Sequence, residues 1–408
     1  MSEYAAHAPA GVVTEPAWLA VFSLAMGVFG LLTAEYLPAS LLTPMALDLG
    51  VSEALAGQAV TVTAVVALFA GLLVPGLTRS IDRRVVLLGF STLMIASNLL
   101  VALSSSLTVL LLMRILLGIA LGGFWSMAAA VAMRLVPTAS LPRALSIIFS
   151  GIAAGTVVAV PLGSYLGGLY GWRSAFIAAA AVGGVTLAFQ AFTLPRLAPS
   201  GTARLRTVLE VLLRPGIAMG MFGCVLVHTA HFALFTYIRP FLESTTGVDT
   251  QGLALMLLGF GVANFVGTLL AGWLLVRHPR GTLVLMPVLV GIAALALVWL
   301  PVSLPGQALL LALWGMAFGG VPVAWSNWVA RAVPDQAESA GGMVVASVQS
   351  AIAAGAAGGG LMFSVSGIGG VFVGAGVLML IAALLIVLRV QVPRQDGDAG
   401  VTHQPSLV

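Results

Sequence analysis

Short clusters of charge divide this chain into twelve mostly apolar stretches, at approximately 17–42, 55–78, 85–106, 108–134, 144–168, 173–195, 216–241, 252–276, 282–300, 306–330, 342–364 and 369–389. Each is close to the length of about 20 residues that a helix needs to cross a bilayer. The runs are continuous, whereas the strands of a membrane barrel would alternate over about ten residues. Only 7% of the 408 residues are charged, against roughly 25% in a soluble domain. The sequence predicts an all-α membrane protein of twelve transmembrane helices, numbered 1 to 12 in chain order.

The net charge of +4 does not point to nucleic acid, because every basic residue is an arginine and the arginines gather at helix ends. Fourteen of them follow even-numbered helices, and only Arg173 and Arg239 lie at odd ones. By the positive-inside rule both termini and the central loop belong in the cytoplasm of a cell whose inner membrane the chain spans. Residues 1–16 lack an arginine-bearing start, and the first apolar run is too long for a signal-peptide core, so helix 1 reads as retained. The lone cysteine, Cys224, excludes an intramolecular disulfide and a thiolate metal cluster, and packs as a small apolar residue. No metal and no cofactor is expected, and the partners expected are a small molecule, protons and lipid, with the chain acting as a monomer.

The longest polar interruption, Leu194 to Pro215, separates six helices from six. It divides the chain into a tail (1–16), a bundle (17–195), a central loop (196–215), a second bundle (216–390) and a tail (391–408). Gly118, Gly122, Gly123, Arg134, Val136 and Pro137 recur 197 residues later as Gly315, Gly319, Gly320, Arg331, Val333 and Pro334. Two pseudo-symmetric six-helix bundles are therefore expected, with helices 4 and 10 as counterparts. A second echo sets Pro38 in helix 1 against Pro240 at the end of helix 7. Duplicated bundles of this kind suit alternating access around a site near the bilayer midplane.

Glu35 is the one acid placed inside a span. Away from water its ionised form is disfavoured, and a carboxyl that changes protonation is a natural carrier for proton exchange. Arg114 lies about six residues into helix 4, where a charge costs about 2.5–3.5 kcal/mol on insertion scales. It needs either a partner such as Glu35 or an escape to the interface. His228 and His231 share a face of helix 7 and are read as cavity-lining groups or substrate contacts. Between helices 2 and 3, Gly76, Arg79, Asp82, Arg83 and Arg84 form a turn with charge suited to latching neighbouring helix ends. Helix 5 carries Gly151, Gly155, Pro161 and Gly163, small residues at close to helical spacing that allow tight approach, with a bend at the proline.

These segments resemble the signatures of the major facilitator superfamily and, through helix 5 and Arg114, its drug:proton antiporter branch. In the loop, Arg79 and Asp82 stand where the general pattern has an acid and a glycine. The runs Glu35 to Ala46, Leu121 to Met127 and Phe235 to Pro240 resemble the purine ribonucleoside efflux permeases of that branch. The resemblance implies the superfamily fold, with Glu35 and Arg114 coupling protons to export of inosine- or guanosine-like nucleosides. A nucleoside asks for aromatic faces and neutral hydrogen-bonding groups. Tyr36, Trp125, Tyr237 and Trp325 are candidates for the first, and Asn264, Asn327 and Gln349, together with the two histidines, for the second.

Other functions remain open at this point. Sugars such as arabinose, or hydrophobic drugs, would use the same scheme. An intramembrane enzyme would need a nucleophile and base on facing helices, and a channel would not need Glu35 to titrate. A phosphate-binding loop with its lysine is excluded, since the chain has no lysine.

Overall fold

The computed structural model describes residues 15–137, 140–199, 210, 212–300, 303–333 and 337–391. Most of both tails and of the central loop, with Arg204, Arg206, Pro334 and Arg394, lie outside the described residues. Those described form helices and connecting turns. Helices 1 to 4 are Trp18–Ser40, Gln58–Leu77, Arg83–Ala102 and Leu107–Leu135. Helix 5 is Leu141–Ala154 continued by a π-turn, Gly155–Ala159, into Val160–Tyr170, and helix 6 is Trp172–Thr193. Helices 7 to 9 are Ile217–Thr236, Thr250–Arg277 and Pro279–Trp299. Helix 10 is Leu304–Gly319, stepped at Gly320 into Val321–Ala332. The last helical stretch, Ala337–Arg389, has 53 residues, about 80 Å if straight and far beyond a membrane's thickness. It turns at Gly367, whose φ of 69° and ψ of 179° suit glycine. Helices 11 and 12 therefore meet there, and among the described residues the eleven helical stretches long and apolar enough to cross a membrane make twelve helices.

Packing repeats within the two groups of helices. Helix 2 lies on 4, helix 3 on 4 and 6, and helix 1 on 5 and 6; correspondingly helix 8 lies on 10, helix 9 on 10 and, through Gly291 against Gly376, on 12, and helix 7 on 11 through Gly355 against Thr229. The groups meet where helix 2 touches 11, helix 5 touches 8 and helix 1 touches 7. Lipid supplies no hydrophobic drive for helix association, so close backbone approach through small residues has to supply it. A Cβ at Gly118 or Gly122 would overlap the Thr63 or Ala67 carbonyl of helix 2. At Gly315 or Gly319 it would overlap the Phe260 or Asn264 carbonyl of helix 8. Thr63 and Ala67 stand to Phe260 and Asn264 at the same 197-residue displacement as the glycines. The repeat is thus carried by contacting partners on both sides of each interface.

Helices 1 and 7 break alike near the end of the molecule remote from the termini. Leu41 (φ −119°, ψ 10°) separates helix 1 from Leu42–Leu49, and Tyr237 (φ −109°, ψ 18°) separates helix 7 from Ile238–Thr246. The proline pairing read from sequence is corrected by these breaks. Pro38 lies inside helix 1, and the counterpart of Pro240, three residues past Tyr237, is Pro44, three past Leu41. The π-turn of helix 5 ends just before Pro161, which has no N–H to return to the preceding turn.

Candidate functional site

Arg114 is entirely buried, so it does not reach back to an interface. Its Nε donates to Thr63 Oγ1 at 2.9 Å and its Nη1 to the Ala34 carbonyl at 2.8 Å, while Nη2 is buried without a partner. The arginine of helix 4 thereby grips helix 1 at the residue before Glu35. Glu35 is only 4% exposed and its Oε1 has no hydrogen-bond partner. Among the described residues no ion pair to Glu35 is seen. The carboxyl and the guanidinium are neighbours, each with capacity left over. Two hydroxyls share this state, Thr33 two residues before Glu35 on helix 1 and Thr61 two residues before Thr63 on helix 2, whose oxygens are buried and unpaired.

Next to Glu35, Tyr36 meets Phe235 of helix 7 edge-on at 5.3 Å. Phe235 stacks on His231 at 5.6 Å, and the other face of His231 stacks on Phe318 of helix 10 at 3.2 Å. Trp314 Nε1–H donates to His231 Nδ1 at 3.1 Å, which assigns the imidazole proton to Nε2. His228 Nδ1 donates to the Cys224 carbonyl at 2.8 Å, the opposite tautomer. Both rings are buried, and among the described residues no group of three or more metal-ligating side chains forms.

His231 also has a positional meaning that the sequence reading passed over. Thr33-Ala34-Glu35-Tyr36 recurs 196 residues later as Thr229-Ala230-His231-Phe232. Each tetrad ends five residues before its helix break. His231 therefore occupies in the second group the place of Glu35 in the first. An alignment of helix 1 on helix 7 alone reveals this signal.

The remaining candidates are dispersed. Trp125 stacks on Phe149 of helix 5 at 5.9 Å, eleven residues and about 16 Å along helix 4 from Arg114. Trp325 is buried edge-on to Trp328 at 5.6 Å. Asn264 and Asn327 are half-buried, and Gln349 is buried with an unpaired Oε1. Tyr237 is fully buried at the helix 7 break, donating to the Ala356 carbonyl at 3.0 Å and reaching the Ala54 carbonyl at 3.5 Å. Above it a cavity of about 430 Å³ opens at the end remote from the termini, lined in part by Glu53, Ala54 and Phe363. Sequence reasoning missed Asn98 of helix 3, whose side chain is fully buried with both amide atoms unpaired. It lies beside Ser97, which donates to the Met113 carbonyl, next to Arg114.

At the other end, Asp82 caps helix 3 through the Arg84 N–H at 2.8 Å and accepts from the Leu197 N–H at 3.1 Å, beyond helix 6. Burial alone would raise its carboxyl's pKa, but these N–H groups, with Arg134 and Arg196 nearby, hold it below the usual aspartate value. Arg83 donates to Thr78 Oγ1 at 2.9 Å and Arg84 to the Ala191 carbonyl. Gly76 and Arg79 are exposed, and nothing packs on Gly76. In helix 5, Gly151 lies against the backbone of Ala25 and Phe29, Gly155 against Leu32, and Gly163 against Leu37 and Ser40. Pro161 is buried two residues past the π-turn. These residues bring helix 5 onto the face of helix 1 that carries Glu35's neighbours.

The sequence profile of the Major Facilitator Superfamily matches residues 18–356. The chain is 43% identical over 380 residues, 93% of its length and 96% of the relative's, to proteins of Salmonella enteritidis and Salmonella typhi named purine ribonucleoside efflux pump NepI. Among solved structures it resembles a D-xylose-proton symporter with a TM-score of 0.74 at 18% identity, covering 92% of this chain and 97% of that one. A bacterial homologue of the lysosomal transporter Spinster, in an inward-facing conformation, gives a TM-score of 0.71 at 16% identity, over 93% and 98%. With its twelve crossings, its repeated helix contacts and this match, the chain belongs to the Major Facilitator Superfamily and is a multi-pass membrane transporter.

Proposed function

We propose that this protein exports purine ribonucleosides such as inosine and guanosine, and purine analogues, across the inner membrane in exchange for protons. The observation that carries the reading is the buried Glu35 with a free carboxyl oxygen beside an arginine that also keeps a free N–H. Buried polar atoms without protein partners are costly, and in a carrier they mark the path of what is carried. The substrate class comes from the efflux pumps to which the chain is 43% identical. The ladder Tyr36, Phe235, His231 and Phe318 supports it, since flat rings stack on a purine for about 1–3 kcal/mol per base.

In this reading Glu35 carries the proton and Arg114 holds helix 1 in place beside it. His231, His228, Gln349 and Asn264 contribute hydrogen-bonding groups, and the six-helix groups act as the two rocking bodies. Both termini face the cytoplasm, and one chain suffices. A proton entering down 100 mV supplies about 2.3 kcal/mol, enough for roughly fifty-fold accumulation outside. Uptake of labelled inosine into inside-out vesicles tests the reading. An acidic interior should drive uptake, and excess arabinose should not compete; uptake that is absent, or that arabinose suppresses, would overturn it.

A further inference from the structure

Proline at position 44 removes the N–H that a continuing helix would return to the Ser40 carbonyl. That carbonyl, at the break of helix 1, is taken instead by Arg239 of the opposite group, whose Nη1 donates to it at 2.7 Å. The same nitrogen reaches Ser164 Oγ of helix 5 at 3.5 Å, and Nε donates to Glu243 Oε1 at 2.8 Å. Arg239 is 6% exposed. Two residues earlier, Tyr237 fills a slot whose walls come from both groups. A Cβ at Gly57, Gly359 or Gly360 would overlap its ring or hydroxyl, and the hydroxyl lies between the Ala54 and Ala356 carbonyls.

We propose that Arg239 is a gating residue: its guanidinium clasps the broken end of helix 1 from the other six-helix group and holds the end of the transporter remote from the termini closed. Opening at that end must part helices 1 and 5 from helix 7, which severs both cross-group contacts of Arg239 and leaves it with Glu243. The acceptors are an uncharged carbonyl and a hydroxyl, and Glu243 is only partly buried, with 30% of its side chain exposed. The released guanidinium therefore keeps its counter-charge and meets water, so the clasp can re-form on every cycle. Arg239 also complements Arg114. One holds the Ala34 carbonyl from within the first group and the other holds the Ser40 carbonyl from the second, with Glu35 on the stretch between them. Movement of that stretch is thereby tied to closure at the far end.

The proposal rests on the transport reading, but its test does not depend on the substrate. Spin labels at Leu47→Cys and Leu361→Cys, exposed positions at that end in opposite groups, in a Cys224→Ser background, report the separation by pulsed electron resonance. The parent should show chiefly the short separation. Arg239→Gln should increase the long-separation population about tenfold or more, and Arg239→Lys should restore much of the closed form, since one ammonium can still reach the Ser40 carbonyl. Glu243→Gln, at a partly exposed site that folding should tolerate, should shift the population in the same direction by less. An unchanged distribution in Arg239→Gln overturns the proposal, and if that variant does not fold, an unchanged distribution in Glu243→Gln does so. If the separations shift as stated while inosine is not transported, the clasp stands and the purine reading fails.

Discussion

A guanidinium has a fixed fork of donors, and at Arg114 two of its nitrogens are aimed at different helices: Nε at Thr63 of helix 2 and Nη1 at Ala34 of helix 1. A lysine keeps the charge but not the fork. Arg114→Lys is therefore expected to lower the initial rate of gradient-driven export on the order of tenfold, the loss of one charged hydrogen bond, as measured in vesicles with matched protein content. Arg173 ties the far end of the first group together, donating to Asp48 Oδ2 at 2.5 Å and to the Ser104 carbonyl at 2.9 Å. Hydrogen bonds from Arg173 and Trp172 hold the Asp48 carboxyl below the usual aspartate value. A lowered carboxylate adds stability above its unfolded pKa, about 3.9, and loses it as pH falls through the folded value. Below about pH 4 the thermal midpoint of the parent should approach that of Asp48→Asn, and above it exceed that variant's by what at most about 1 kcal/mol produces, because the pair is exposed. At this scale Glu35 and Arg114 were legible because charge inside an apolar run is conspicuous. Arg239 was read as one of two arginines at odd-numbered helices and as part of the Phe235 to Pro240 run, not as a contact between the groups, since its acceptor is a backbone carbonyl, freed by a proline four residues on, and carbonyls leave no mark in composition.

Helix 4 shows how an element is placed by what it lacks. Gly122 sits on the Ala67 carbonyl of helix 2, whereas Gly89 in helix 3 faces open space. Gly122→Val should cost about 1–3 kcal/mol through overpacking, seen as a lowered unfolding midpoint in detergent, while Gly89→Ala should be neutral or slightly stabilising. The loop after helix 2 is held by Asp82 through one cap and the Leu197 N–H. Asp82→Ala should cost about 1–2 kcal/mol by the same measurement. The glycine spacing of helices 4 and 10 was legible because overlap with a carbonyl forbids any larger residue. The break of helix 1 was placed one proline off, because Pro38 fits within the last turn of helix 1 whereas Pro44 follows the break, as Pro240 follows that of helix 7. The join of helices 11 and 12 rests on a single glycine turn.

For the whole molecule, the same contacts recur in both groups: glycines of helices 4 and 10 on carbonyls of helices 2 and 8, and equivalent breaks in helices 1 and 7. The two groups differ where chemistry is needed. Glu35 faces Arg114 in one, and its positional counterpart His231 is stacked between phenylalanines in the other. Apolar length and arginine placement made the twelve crossings legible from sequence. Which side chains meet across the groups, Tyr36 with Phe235 above all, was not legible, because it depends on how the bundles are set together. In the proposed exchange a single carboxyl carries the proton, and Glu35→Gln separates that step from substrate passage. In vesicles, Glu35→Gln should retain exchange of labelled for unlabelled inosine at equal pH and lose the stimulation that an acidic interior gives the parent. Stimulation equal to the parent's would contradict the assignment of the proton to Glu35.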